Sequence, residues 1–546
     1  MRPSFVSTSE QPEQRPQTAG GRLARSAGIT GVATLASRVL GLARDQVLAA
    51  LFGAGNEMDA FIVAFRIPNL VRDLFAEGAM SAAFVPTFTR ELTRGGKRDA
   101  WRLGNSVITA LVIVTGALVV LGVVFAQPLV RMYAGDFAGV PGKLELTVQL
   151  TRVTLPFLTM VAIAAAAMGM LNSLHHYFLP ALSPAMFNIA TIVLGLALVP
   201  VMPALGLPRI MAIAIAALAG GLGQIALQWP SLRREGFRYA PVLDPRDPAL
   251  RQVLLLMGPG AIGLAATQVN IFVNTLLATS QGTGAVSWLA YAFRLMYLPI
   301  GLFGVSIGTA VLPAASRHAA VGDTAGIRDT ITRGLAMMLM LNVPATLGLI
   351  VLATPIVQLL FERGHFVAAD TIATAAALRL YAVGLVGYST VRIVSPAFYA
   401  IGRSRVPVMV SAVAIGTNVI ASVTLVNLMG FRGLALGTSI AAVVNAAALV
   451  WLLHRQLGGL HARRLVVSLT KIAIAALVMA ALAVGLETAM LRAVPGPHFT
   501  AQAVRLSVEI GGALAGFAVA VRLLRPNEVV EFGDVLSLLR ARVVRS

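Results

Sequence analysis

Residues 36–90 read ASRVLGLARDQVLAALFGAGNEMDAFIVAFRIPNLVRDLFAEGAMSAAFVPTFTR, an apolar stretch that is interrupted by charges. A charged side chain at the centre of a bilayer costs roughly 2.5–3.5 kcal/mol on insertion scales, so such residues normally face a polar cavity or a partner. The stretch therefore predicts membrane helices that line a functional site. Its charged residues up to position 77 are Arg38, Arg44, Asp45, Glu57, Asp59, Arg66, Arg72, Asp73 and Glu77.

Several of these charges are spaced by seven residues. Arg38 and Asp45 have this relation, as do Asp59, Arg66 and Asp73, so each set shares one helix face. One interpretation is that salt bridges simply hold two helices together. The other is a hydrated cationic cavity with acidic partners, built for an anionic substrate.

The composition indicates a polytopic membrane protein. Of 546 residues, 57% are hydrophobic and 12% are charged, and the mean hydropathy is +0.81. The net charge of +20 is explained by basic loops against anionic lipid, so no nucleic-acid partner is expected. The absence of cysteine excludes disulfides and thiolate nucleophiles, and the seven histidines form no HExxH pair. We predict neither a metal site nor a catalytic group.

Apolar spans separated by charged or Gly/Pro breaks number about fourteen, which predicts an all-α fold. With the N-terminal tail inside, the inside segments carry 27 Lys and Arg residues and the outside loops carry 6. This asymmetry predicts that both termini are cytoplasmic. Residues 1–26 are expected to be a disordered tail and 526–546 an amphipathic tail. The predicted spans are 27–54, 58–89, 103–133, 147–174, 179–202, 208–230, 252–280, 284–315, 330–358, 370–401, 406–429, 432–453, 465–489 and 503–524.

The chain repeats itself at an offset of 227 or 228 residues. AFR at 64–66 returns at 292–294, and VP at 85–86 returns as LP at 312–313. Six predicted spans separate the copies, and an even number gives both halves the same orientation. The repeat predicts two parallel six-helix lobes around a cavity. The boundaries are 27–246 and 247–458 for the lobes, with two extra C-terminal helices in 459–525.

Arginines from both lobes are the candidate substrate ligands. Arg38 lies about 16 Å into the first span if that helix starts near Ala27, and Arg294 has no nearby carboxylate in the sequence. Arginine stays charged, and its planar fork donates two bonds at once to a phosphate. The predicted diphosphate ligands are Arg38, Arg44, Arg72 and Arg294. Asp59 is either a site residue or a helix cap. The residues predicted to support or gate the site are Asp45, Arg66, Asp73 and Glu77.

Missing motifs narrow the function further. No nucleotide-binding loop is present, so direct use of ATP is not expected. Residues 371–480 contain no acid, so a carboxylate cation site in the second lobe is not evident. Neutral oxygens are available from Asn270, Asn274, Asn418 and Asn445, although asparagine in a membrane helix first suggests contacts between helices. No acid, base and nucleophile cluster together, which favours a transporter over an enzyme.

Four motifs resemble a known family. SRVLGLARD at 37–45, FGAGNEMDAF at 52–61, NLVRDLFAEGAMSAAFVP at 69–86 and VSWLAYAFRLMYLPIGLFGVSIGTAVLP at 286–313 are similar to the MurJ (MviN) lipid II flippases. These belong to the multidrug/oligosaccharidyl-lipid/polysaccharide (MOP) exporter superfamily. The resemblance covers nearly the whole chain after the N-terminal tail. It implies two lobes that alternate around a cationic cavity.

The resemblance also implies a role in peptidoglycan biosynthesis, and so in the cell wall and cell shape. The family moves lipid II, an undecaprenyl-diphosphate-linked precursor, from the inner to the outer leaflet of the bacterial inner membrane. Its last two helices form a groove for the polyprenyl tail, and the resemblance assigns this role to residues 459–525. Lipid II, membrane lipids and cell-wall synthesis proteins are the implied partners, and we expect a monomer without a cofactor. The family's essential residues match Arg38, Arg44, Asp59, Arg72 and Arg294.

Two departures from the family concern ion coupling. Some members carry acids beside the last arginine, where this chain has Phe293 and Tyr297, and some bind sodium through acids in the second lobe. The energy source for transport is left open between a sodium gradient, a proton gradient and the membrane potential. The membrane potential supplies about 2.3 kcal/mol per charge per 100 mV. The alternatives are another MOP transporter, such as an O-unit flippase or a drug/cation antiporter, and a membrane enzyme that acts on polyprenyl diphosphates.

Overall fold

The computed structural model describes residues 19–72, 80–242, 244–301 and 305–524, and within these ranges the chain is helical with no β-strand. The predicted all-α class is confirmed. The α-helices are α1 (Ala19–Phe52), α2 (Asn56–Arg72), α3 (Met80–Arg94), α4 (Gly96–Val124), α5 (Ala126–Ala134), α6 (Lys143–Thr154), α7 (Phe157–Ser173), α8 (Phe178–Leu198), α9 (Met211–Arg234), α10 (Pro248–Thr279), α11 (Ala285–Pro299), α12 (Val305–Ala320), α13 (Thr324–Val351), α14 (Ala353–Phe361), α15 (Ala368–Val383), α16 (Leu385–Ala400), α17 (Arg405–Met429), α18 (Phe431–Gln456), α19 (Ala462–Ala493) and α20 (Phe499–Leu524).

Each predicted span coincides with one helix or with two successive helices. Among the described residues, nine spans are long and apolar enough to cross a membrane, and the pair α15 and α16, bent by 40°, brings the number to ten. The first, second, seventh and eighth predicted spans do not pass this test. They either contain charged residues far from the helix ends or include residues that the structure does not describe. The multi-pass architecture is confirmed, and the count of fourteen stays a prediction.

The two halves share one pattern of helix breaks and neighbours. The long helix α4 followed by the short α5 recurs as α13 followed by α14, at offsets of 228 and 227 residues. Helix α1 packs on α8 as α10 packs on α17, and α3 packs on α7 as α12 packs on α16. The parallel repeat of two lobes is therefore confirmed, with α19 and α20 outside it.

Helix α10 joins the lobes. Asp247 caps it, because its Oδ1 accepts hydrogen bonds from the N–H groups of Ala249 at 2.8 Å and Leu250 at 3.4 Å. Pro248 occupies the first turn, where a missing N–H costs nothing. Leu250 and Val253 are buried in the core of the first lobe, whereas α10 also packs on α17 of the second. The predicted lobe boundary at 246/247 thus falls where this connecting helix starts.

Candidate functional site

Three charged side chains connect the lobes between α1 and α11. Asp45 Oδ1 accepts hydrogen bonds from Arg44 Nη2 at 2.8 Å and Nε at 3.1 Å. Arg294 Nη1 donates to Asp45 Oδ1 at 3.0 Å and to Oδ2 at 2.8 Å. The side chains of Asp45 and Arg44 are 6% and 12% exposed, but that of Arg294 is 48% exposed. This bridge cluster, Arg44–Asp45–Arg294, has two cations for one anion, and Arg294 retains accessible donors.

The first lobe fixes the orientation of Arg44. Its Nη1 donates to Asn188 Oδ1 at 3.1 Å, and its guanidinium lies 5.2 Å from the centre of the Phe187 ring. Asn188 Nδ2 in turn donates to the Ser37 carbonyl at 3.1 Å. Helix α8 therefore holds this arginine in place. Sequence reasoning missed Asn188, because a single amide in an apolar span carries no signal of its partner.

Arg38 also reaches the second lobe. Its guanidinium lies against Gly301, where a Cβ would overlap it. Arg38 and Asp45 are seven residues apart on α1, and Arg294 and Gly301 have the same spacing along the facing segment. The predicted common face of Arg38 and Asp45 is confirmed, and it is turned toward the second lobe.

Arg294 has no carboxylate near it in the sequence, but it has one in the structure. Asp45 supplies it, although 249 residues separate the two. Packing of the first lobe on the second brings this acid into place.

Asp59 is fully buried and caps a helix of the other lobe. Its Oδ2 accepts hydrogen bonds from the Gly284 N–H at 2.7 Å and from Lys143 Nζ at 2.9 Å. Its Oδ1 accepts from the Ser287 N–H at 3.0 Å and Oγ at 2.7 Å. Gly284 precedes α11 with φ +94°, and a Cβ there would overlap Trp288 and the Ala54 carbonyl. Asp59 thus satisfies free N–H groups at the positive end of α11.

Lys143 is one of the six basic residues assigned to outside loops from the sequence, and in the structure it is buried at the start of α6. It is 3% exposed, with Nζ 4.1 Å from the centre of the Phe137 ring and bonded to Asp59. A lysine beside a turn gives no signal of burial, because its partner lies 84 residues away.

Further bonds between the lobes lie beside Asp59. Thr283 Oγ1 donates to Asn56 Oδ1 at 2.8 Å, and the His365 N–H donates to the Ala50 carbonyl at 2.9 Å. Arg209 Nη1 lies 3.3 Å from His365 Nε2. We call this region, at residues 50–59, 283–287 and 363–366, the closed end. At the opposite end, the described residues show no hydrogen bond or ion pair between the lobes.

The remaining predicted residues are only partly defined. Arg66 is half-buried within electrostatic range of Tyr133 and Tyr381, one from each lobe. Arg72 ends α2, but its side chain lies outside the description. Asp73 and Glu77 lie outside the described residues altogether.

A buried cluster of neutral polar groups connects α10, α17 and α18. Asn274 Nδ2 donates to Thr438 Oγ1 at 3.3 Å, and the Ser422 hydroxyl lies 3.3 Å from Asn274 Oδ1 and 2.7 Å from Asn418 Oδ1. The other two predicted asparagines make no hydrogen bond to this cluster within the described chain. In the same part of the chain, no group of three or more His, Cys, Asp or Glu residues is placed to hold a metal ion.

Known proteins resemble this chain in sequence and in fold. The family model described as lipid II flippase MurJ matches residues 48–502. A probable lipid II flippase MurJ of Vibrio cholerae is 35% identical over 474 residues, which cover 85% of this chain and 89% of the relative. The lipid II flippase MurJ of Burkholderia cenocepacia is 35% identical over 420 residues, 76% of this chain and 81% of the relative.

Solved structures of known proteins also resemble this chain in fold. A lipid II flippase MurJ in an inward closed conformation superposes with a TM-score of 0.74 at 25% identity, covering 91% of this chain and 99% of that one. An inward-facing multidrug resistance MATE transporter of the MOP superfamily superposes with a TM-score of 0.66 at 17% identity, covering 77% and 94%. The MATE likeness concerns the fold alone.

Proposed function

The chain belongs to the lipid II flippase MurJ family, and from this membership we propose that it moves lipid II from the inner to the outer leaflet of the bacterial inner membrane. It is a multi-pass membrane transporter rather than an enzyme. The flipped precursor would serve peptidoglycan synthesis. We further propose cytoplasmic termini, from the 27 to 6 division of basic residues, and a monomer that works without a cofactor.

The observation that carries the proposal is the convergence of arginines from both lobes. Within the bridge cluster, Arg44 and Arg294 meet at Asp45. Arg38, seven residues from Asp45 on the same helix face, lies against Gly301 of the second lobe. A diphosphate offers more charge and more acceptor oxygens than one carboxylate, so it can compete with Asp45 for Arg294. The proposed ligands of the substrate are Arg38, Arg44, Arg72 and Arg294, with Asp45 as the group that the substrate displaces.

The placement of the bonds between the lobes supports an alternating-access mechanism. We propose that the closed end faces the outside and that the opposite end opens to the cytoplasm in this conformation. Opening outward then requires Asp59 to leave Gly284 and Ser287 while it keeps Lys143, which belongs to its own lobe. In this cycle Asp59 is a gate residue, and Arg66, Asp73 and Glu77 support the cavity.

The last two helices are assigned to the lipid tail. Helices α19 and α20 pack on each other and on α13 and α14, and they leave Leu477, Leu482 and Leu514 exposed. We propose that the groove in 459–525 holds the polyprenyl chain. For the drive we favour the membrane potential, because the polar cluster of the second lobe offers neutral oxygens instead of a carboxylate; sodium and proton coupling are the alternatives.

The decisive experiment measures lipid II in the outer leaflet of cells depleted of their native flippase. Cells that express this chain should expose lipid II and grow, whereas Arg38→Ala and Arg294→Ala should insert but restore neither. Arg403→Ala, at an exposed turn, is the matched control and should behave as wild type. Full lipid II exposure with both Arg38 and Arg294 replaced would refute the proposal.

A further inference from the structure

A cavity of about 830 Å³ opens on the surface of the first lobe between α4, α7 and α9. Its walls are apolar and include Ile108, Val112, Ile163 and Leu222. Leu222 and Val112 are exposed, so the cavity is continuous with the lipid-facing surface. None of its lining residues belongs to α1, α2 or α11, which separates it from the bridge cluster. We call this cavity the lateral groove.

One end of the lateral groove carries polar and aromatic groups. Arg233, Trp229 and Tyr239 lie there, where α9 ends. The Arg233 side chain makes no hydrogen bond or ion pair within the described chain. Its neighbour Glu235 is occupied elsewhere, because it accepts from Lys97 Nζ and pairs with His176 Nε2, both at 2.9 Å. Among the described residues, the mouth of the groove therefore combines a cation that has no acidic partner with two aromatic side chains.

The mouth is built rigidly. The side chain of Asn105 on α4 holds the segment after α9 from both sides: Nδ2 donates to the Arg238 carbonyl and Oδ1 accepts from the Ala240 N–H, both at 3.2 Å. This places the Tyr239 hydroxyl 3.3 Å from Thr109 Oγ1. Since the Thr109 hydroxyl donates to the Asn105 carbonyl at 2.8 Å, Tyr239 donates to Thr109. Tyr239 then forms a fixed wall, and Arg233 is the donor left for a ligand.

We propose that the lateral groove is a binding site for an anionic glycerophospholipid. An acyl chain lies along the apolar wall between α4 and α9, and the lipid phosphate accepts charge-assisted hydrogen bonds from Arg233. Trp229 and Tyr239 lie at the level of the headgroup, where amphipathic rings are favoured. Under the proposed orientation the occupant comes from the inner leaflet. The charge of the mouth selects an anionic over a zwitterionic headgroup.

Native mass spectrometry of the purified full-length chain tests this site. Delipidated protein is titrated with phosphatidylglycerol and, separately, with phosphatidylcholine of the same acyl chains. Wild type should bind phosphatidylglycerol more tightly. Arg233→Gln should weaken phosphatidylglycerol binding about tenfold, the loss expected for one charge-assisted hydrogen bond. It should weaken phosphatidylcholine less, because the choline cation already offsets the charge of that phosphate. Leu222→Trp, which fills the groove, should weaken both lipids.

Two control variants distinguish binding in the lateral groove from non-specific attraction of lipid to the protein surface. Arg234→Gln removes an adjacent exposed cation that does not line the groove, and Leu196→Trp adds the same bulk on exposed α8. Both should bind lipid as wild type does. Equal losses for Arg233→Gln and Arg234→Gln, or no preference between the two lipids, would overturn the proposal. Because lipid binding is measured directly, the outcome does not depend on whether the chain flips lipid II.

Discussion

Lys143 Nζ donates a 2.9 Å hydrogen bond to Asp59 Oδ2, and the two side chains are 1% and 0% exposed. The pair lies within the first lobe, whereas the other hydrogen bonds of Asp59 reach Gly284 and Ser287 in the second. Opening of the closed end can therefore break the second set and keep the first. The lysine maintains a neutral site in both states, so the carboxylate is not left as a buried, uncompensated charge.

Lys143→Met should destabilise the protein strongly. Removing one partner of a buried ion pair costs about 3–5 kcal/mol, because the other charge remains buried. Asp59→Asn combined with Lys143→Met should recover part of this loss in the unfolding free energy measured in detergent micelles. Lys97→Met is the control, since its pair with Glu235 is exposed and should contribute no more than about 1 kcal/mol. Equal effects for the two lysines would contradict a special role for the buried pair.

A disulfide across the closed end should stop transport reversibly. The chain has no cysteine, so Asn56→Cys with Thr283→Cys introduces a single pair, at side chains now 2.8 Å apart. Oxidation should block the appearance of lipid II in the outer leaflet, and a reductant should restore it, because the lobes must separate there. Thr115→Cys with Thr159→Cys joins two helices within one lobe, at hydroxyl groups 3.0 Å apart, and should not change transport. Transport by the oxidised Asn56–Thr283 variant would show that this end does not open.

Gly301→Ala should impair transport through Arg38. A Cβ at residue 301 overlaps the Arg38 guanidinium and forces it from its place against the second lobe. We expect lipid II exposure to fall toward the level of Arg38→Ala, with little further loss in the double variant. Gly116→Ala is the matched control, because nothing lies within 4 Å of its new Cβ. Additive losses from Gly301→Ala and Arg38→Ala would mean that the glycine acts by another route.

Spacing and repetition in the sequence predicted the helices and the face of α1, but not the partners of its charges. The seven-residue relation of Arg38 and Asp45 is local, and helix geometry alone places both on one side. Lys143, Asn188 and Ser287 belong to other helices, and what selects them is packing over long sequence distances. The burial of Lys143 is not visible in the sequence either, because a lysine can leave the surface once a carboxylate and an aromatic ring surround it.

The last prediction concerns the effect of low pH at the C-terminal end of α9. Hydrogen bonds from His176, and then from Lys97, lower the pKa of Glu235 below its ordinary value of 4.5. A carboxyl with a depressed pKa stabilises the folded state above its ordinary pKa, and this contribution is lost as the pH falls through the folded pKa. At about pH 6.5, Glu235→Gln should therefore increase hydrogen–deuterium exchange at residues 174–177 relative to wild type.

As the pH falls through the lowered pKa of Glu235 this difference should shrink, because the wild-type carboxyl then becomes protonated too. Leu222→Trp, which lies on the same helix but outside this contact, should leave exchange at 174–177 unchanged at either pH. An undiminished difference in acid would mean that Glu235 acts through its shape and not its charge. Both comparisons are made between variants at one pH, so the intrinsic pH dependence of amide exchange cancels.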